Sequence, residues 1–106
     1  MLHMTQQRLR TIENRIDKIK YLLQNIGEMR PGSLSQQFHD PEKRKAYWQL
    51  SYTYQMRSRS EYVRKKLLKQ TKQQVKNYKL FRSLVEEWVD LALEHAKLKN
   101  NMALGK

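Results

Sequence analysis

A chain of 106 residues, 39% hydrophobic and 30% charged, has room for one small domain with a thin core and not for two. Without cysteine it forms no disulfide and no thiolate metal site, and no stretch approaches the roughly 18 apolar residues of a membrane span. The net charge is +12, and the opening MLHMTQQRLR lacks the apolar run of a signal peptide, so a soluble cytoplasmic protein with no membrane contact is expected.

From Thr5 to Met29 the pattern is helical. Leu9, Ile12, Ile16, Ile19, Leu23 and Ile26 recur at alternating spacings of three and four, a heptad seam with charged residues around it. Such a seam packs equally well on a second copy or on another helix of the same chain. Met29-Arg30-Pro31-Gly32 ends the helix, because proline disfavours helical geometry at Arg30 and Gly32 permits a turn. A second proline, Pro41, follows, so residues 30–44 read as mostly irregular.

Residues 45–64 read as a β-hairpin. Trp48, Leu50, Tyr52 and Tyr54 alternate with Gln49, Ser51 and Thr53, which predicts one apolar face and one polar face. Tyr47 falls on the polar side, and Tyr62 joins either side according to register. Gln55-Met56-Arg57-Ser58 is the predicted turn, and Arg59–Val63 the returning strand. A lone hairpin is marginal in water, so its Trp48/Leu50 face needs a cover.

Residues 65–100 return to a helical pattern, as one helix or as two that bend or break near Arg82. Leu68, Thr71, Val75 and Tyr78 make a first stripe; Phe81, Leu84, Trp88, Leu91, His95 and Leu98 make a second, rotated by about 120°. The expected fold class is mainly α with a small antiparallel β-hairpin: a coiled-coil-like helix, a loop, the hairpin and the long C-terminal helix, in a single domain over 1–106. Leu9, Ile12, Ile16, Ile19, Leu23, Ile26, Leu84, Trp88 and Leu91 are the candidate contacts of an oligomer, a homodimer first.

The positive charge is unevenly placed. Residues 43–82 hold thirteen Lys or Arg against one acid, Glu61, whereas elsewhere nine bases balance nine acids. A block of one sign makes a local field suited to a polyanion, while a merely solvated surface would intersperse both signs. Lys65, Lys69, Lys72, Lys76 and Lys79 follow spacings of four, three, four and three, which on a helix is one ridge, expected well away from the apolar stripe. Like charges at that spacing repel by about 0.2–0.5 kcal/mol per pair, a cost an anionic ligand would offset. Lys43, Arg44 and Lys45 lead into the hairpin, Arg57 and Arg59 occupy its tip, and Arg64 leaves it. These eleven residues are the candidate nucleic-acid contacts, to phosphate above all, because the guanidinium fork pairs with phosphate oxygens. DNA, double-stranded in particular, is expected ahead of RNA.

No catalytic group emerges. His3, His39 and His95 are dispersed, Glu86-Glu87 are adjacent rather than facing, and no nucleophile, phosphate loop or metal-ligand spacing is present. A non-enzyme without metal or cofactor is expected. A rival reading makes the chain an accessory or inhibitory subunit docked on a larger nucleoprotein machine, such as a transposase or an RNA-guided nuclease.

The strings Arg30-Pro31-Gly32-Ser33-Leu34-Ser35, Tyr47-Trp48-x-Leu50-Ser51-Tyr52, Tyr62-Val63 and Asn77-Tyr78-x-x-Phe81-Arg82-x-Leu84-Val85-Glu86-Glu87-Trp88 together resemble a family of small uncharacterised prokaryotic proteins, over about residues 28–98. The resemblance implies a setting near mobile genetic elements. Many members carry a cysteine cluster where this chain has Phe38-His39-Asp40-Pro41-Glu42-Lys43, so any metal that loop holds in relatives has lost its ligands here.

Overall fold

The structure, a computed structural model, describes residues 2–39, 42 and 45–105, the side chain of Leu2 excepted. It contains two long helices, α1 (Leu2–Gln24) and α2 (Leu68–Ala103), and three strands, β1 (Ser33–Phe38), β2 (Ala46–Tyr54) and β3 (Arg57–Val63), with a 3-10 turn at Lys65–Leu67. The expected mainly α fold with a small antiparallel β-hairpin is present, and a third strand extends the hairpin into a sheet. Two compact units share α2: Met1–Ile26 with Phe81–Lys106, and Gly27–Leu80.

The first unit is an antiparallel helix pair. Arg8 donates from Nε and Nη2 to the carboxylate of Glu94 at 2.7 and 2.8 Å, and Arg15 to that of Glu87 at 2.6 and 2.8 Å. Seven residues forward on α1 thus match seven back on α2. Ile12, Ile19 and Leu84 are buried, and Leu9, Ile16, Leu23, Ile26, Trp88 and Leu91 are half-buried. The α1 seam is spent on α2 of the same chain. Both ion pairs lie at the surface, where solvent screens them, so they add register more than stability.

The helix expected over 5–29 stops at Gln24. Asn25 N–H and Ile26 N–H tighten onto the carbonyls of Leu22 and Leu23, and the Asn25 side chain caps the Tyr21 carbonyl at 2.7 Å. Downstream, α2 runs through Arg82 without a break.

The second unit corrects the irregular stretch placed at 30–44. Residues 33–38 form β1, and the expected hairpin is the rest of a three-stranded antiparallel sheet in the order β1-β2-β3. β1 is SLSQQF, too polar to announce itself; pairing with β2, from Ser33↔Ser51 to Phe38↔Ala46, makes it a strand. Its entry needs Gly32, whose φ is +128° and where a Cβ would sit 2.7 Å from the Ser51 carbonyl oxygen.

The β2–β3 turn is shorter than the four residues predicted. Strand pairing reaches Tyr54↔Arg57, leaving a two-residue loop with Gln55 at φ 51° and Met56 at φ 64°. Two left-handed residues match the twist of a tight hairpin, a task usually given to Asn-Gly. Leu50, Val63 and Val75 form the core here, with Leu34, Trp48, Tyr52 and Leu68 packed around it. The N-terminal half of α2 therefore covers the Trp48/Leu50 face. Residues 28–30 are tied to α2 as well: Arg30 N–H donates to the Gln74 carbonyl at 3.0 Å, and Asn77 Nδ2 to that of Glu28 at 2.8 Å.

Candidate functional site

All the described candidate cations belong to the second unit, and all are exposed. Lys43 and Arg44 lie outside the described residues. The ridge expected of Lys65, Lys69, Lys72, Lys76 and Lys79 is shortened by one. Lys65 sits in the 3-10 turn, so only Lys69, Lys72, Lys76 and Lys79 follow the α-helical repeat.

Two of these four are also closer to the apolar stripe than expected. At about 100° per residue, Lys72 and Lys79 fall only about 60° and 40° from Val75 around the helix. Lys72 Nζ lies 4.8 Å from the centre of the Trp48 ring, within cation–π range. With Lys76 and Lys79 it lines an open groove of about 360 Å³ floored by Leu34 and Val75. Three ammonium groups on one groove with no acid in its lining would hold an anion by charge alone.

The remaining cations are distributed. Lys69 borders an open cleft of about 550 Å³ with Glu28, Lys66 and the amides of Gln70, Gln73, Gln74 and Asn77. Lys65 borders a cleft of about 220 Å³ walled by Tyr47, Trp48 and Tyr62. Arg57 and Arg59 pair with Tyr54 and Tyr52 across β2–β3, beside the turn whose tip residue Met56 is 97% exposed. Lys45 precedes β2, and its carbonyl accepts the His39 N–H at 3.0 Å. Arg64 follows β3 in extended conformation. Glu61, the single acid in the basic block, is engaged by the Arg30 guanidinium.

Sequence reasoning left Tyr62 open between two faces. Register decides it: Gln49↔Tyr62 puts Tyr62 with Tyr47 on the side away from α2. Their ring centroids are 6.1 Å apart, and the ring of His39 stacks on Tyr47 at 4.4 Å. His39 could not be placed from sequence, because β1 was not visible. Lys66 and the amide cleft were missed as well; the Gln70/Gln73/Gln74/Asn77 spacing was their only signal.

His95, Glu13, Glu87 and Glu94 of the first unit are occupied structurally. His95, half-buried, has Nε2 at 2.9 Å from Glu13 Oε2. Arg15 holds the Glu87 carboxyl below its ordinary pKa, through hydrogen bonding first, and Arg8 does the same to Glu94; both arginines are raised in turn. Among the described residues no three His, Asp or Glu cluster as a metal site would need, and no helix is long and apolar enough to cross a membrane.

Residues 2–73 match a domain of unknown function, DUF6788. The chain belongs to this family. The match takes in α1, all three strands and the first residues of α2, and stops before the Asn77–Trp88 string. No curated protein and no solved structure matches the chain. For this DUF6788 chain, the site chemistry therefore rests on its own residues.

Proposed function

We propose that this protein binds nucleic acid, duplex DNA in the first place, through the cationic surface of its second unit. One observation carries this. Residues 27–80 hold thirteen basic residues against four acids. Among the described residues Lys65, Lys69, Lys76 and Lys79 have no acidic partner within ion-pair distance. In the first unit, by contrast, Arg8 and Arg15 are each met by a glutamate.

The groove lysines would neutralise phosphates while Arg57 and Arg59 hold the backbone near the hairpin tip. A setting near a mobile element, implied by the family resemblance, fits such a role. A homodimer in this reading is built from what the helix pair leaves exposed, Val89 and Leu93, one turn apart on α2 and 52% and 65% exposed. A scattering mass of twice 12.9 kDa supports it, and a mass of 12.9 kDa removes it.

The same two side chains favour the second reading, in which the chain docks as a subunit on a larger nucleoprotein machine. Binding of a random duplex by the purified protein separates the two. Direct binding predicts a log–log salt slope of about −4 to −5 for five phosphate contacts. No binding at about 50–100 mM salt, where non-specific duplex affinity is still high, refutes it.

A further inference from the structure

The face of the sheet turned away from α2 differs from everything around it. Every strand position on that side is serine, threonine, glutamine or tyrosine, from Ser33 on β1 to Tyr62 on β3. In a chain of net charge +12, this surface carries no charge on any strand. At one end of it three rings run across the strands. His39 stacks on Tyr47 at a centroid distance of 4.4 Å and an interplanar angle of 28°, and Tyr62 follows at 6.1 Å.

Core packing does not explain the row. Tyr62 is 65% exposed, and His39 is exposed as well. The cluster is bounded by cations. Arg64, still extended at φ −65° and ψ 141°, stands two residues beyond Tyr62, and Lys65 shares a cleft of about 220 Å³ with Tyr47 and Tyr62. Exposed rings flanked by cations, with hydroxyls and amides beside them, suit an anionic chain that carries flat apolar groups.

We propose that this face is a second site, for single-stranded nucleic acid, in which unpaired bases stack on Tyr62 and Tyr47 while Arg64 and Lys65 hold the adjoining phosphates. Base–aromatic stacking needs no particular sequence, since every base presents a π-face. The open side of Tyr62 is the first stacking position. His39 backs Tyr47 from the other side and fixes its plane. Gln49 and Ser60, on the same face, are in reach of base edges as uncharged donors and acceptors.

The site rests on the nucleic-acid reading but is separable from it, because the groove lysines act on phosphates and the tyrosines on bases. The experiment is fluorescence anisotropy with the full chain and three labelled probes of about 20 residues each: oligothymidine, the same backbone made abasic, and a duplex. Tyr62→Ala and Tyr47→Ala should each weaken oligothymidine binding by about 5- to 150-fold and leave duplex affinity within about twofold. Tyr62→Phe, which keeps the ring, should bind oligothymidine like the parent. The abasic strand should bind the parent as weakly as oligothymidine binds the alanine variants.

Equal affinity for the abasic and thymidine strands overturns the stacking site and leaves the lysine groove standing. Loss of duplex affinity in step with oligothymidine overturns it too, as does a Phe variant as weak as the Ala variant. Failure of the parent to bind any of the three removes both readings. Tyr62 lies outside the core, so its truncation leaves folding intact, which the unchanged melting temperature of Tyr62→Ala verifies.

Discussion

Replacing Lys76 and Lys79 by glutamine tests the groove more sharply than loss of affinity alone. Each phosphate neutralised on a duplex contributes about −0.9 to the log–log salt slope, so five contacts give about −4.5 and three give about −2.7. Between 50 and 200 mM salt the parent should lose about 500-fold in affinity, and the double variant only about 40-fold. Lys72 is set apart by its contact with Trp48 at 4.8 Å, so Lys72→Gln removes a cation–π interaction as well as a charge. It should lower the slope by a further unit or less, with a small loss of stability of about 0.5–1 kcal/mol.

Stability provides the control. Lys76 and Lys79 are exposed and repel their like-charged neighbours along α2, so the double variant should melt no lower than the parent. A weaker binder therefore cannot be explained as a misfolded one. The measurement is duplex affinity at four or more salt concentrations, beside a thermal melt. A double variant with the parental slope would refute the placement of phosphate in this groove, whatever its affinity at one salt.

Three further outcomes follow from local geometry. Gly32→Ala should destabilise the sheet by about 2–4 kcal/mol, since the new methyl meets the Ser51 carbonyl at 2.7 Å at a φ that alanine resists; urea denaturation measures it, and a loss under about 1 kcal/mol contradicts the strand entry. Gln55-Met56→Asn-Gly should stabilise by about 1–2 kcal/mol in the same assay, because both positions are left-handed, and no gain would mean a different turn in solution. The Arg8–Glu94 and Arg15–Glu87 pairs should fail in acid. Both carboxyls sit below their ordinary pKa in the folded state, so their stability is complete above the unfolded value of about 4.3 and drains away as pH falls through the folded values. Melts from pH 6 to 3 should fall less steeply for Glu87→Gln with Glu94→Gln than for the parent, and equal slopes would contradict the pairing.

Much of this was legible in the residues. Both helices were visible because Leu9–Ile26 and Leu68–Leu98 repeat in the helical period, and β2 because aromatic and aliphatic side chains alternate through Tyr47–Tyr54. The concentration of positive charge in residues 43–82 is a property of composition and needs no fold. β1 was not legible, because SLSQQF has almost no strand propensity of its own and becomes a strand only by pairing with β2.

Tertiary structure decided the rest, and for one reason: local periodicity says which face of an element is apolar, never what that face meets. It could not choose between a second copy and α2 as partner for Ile12 and Ile19, which the antiparallel helix pair settles within one chain. Nor could it show that the lysine spacing of α2 borders the sheet, so that the exposed Lys72 lies over Trp48. The register of β3 was equally hidden. A shift of one residue would have turned Tyr62 toward the core, whereas the two-residue turn at Gln55-Met56 places it beside Tyr47 on the open face.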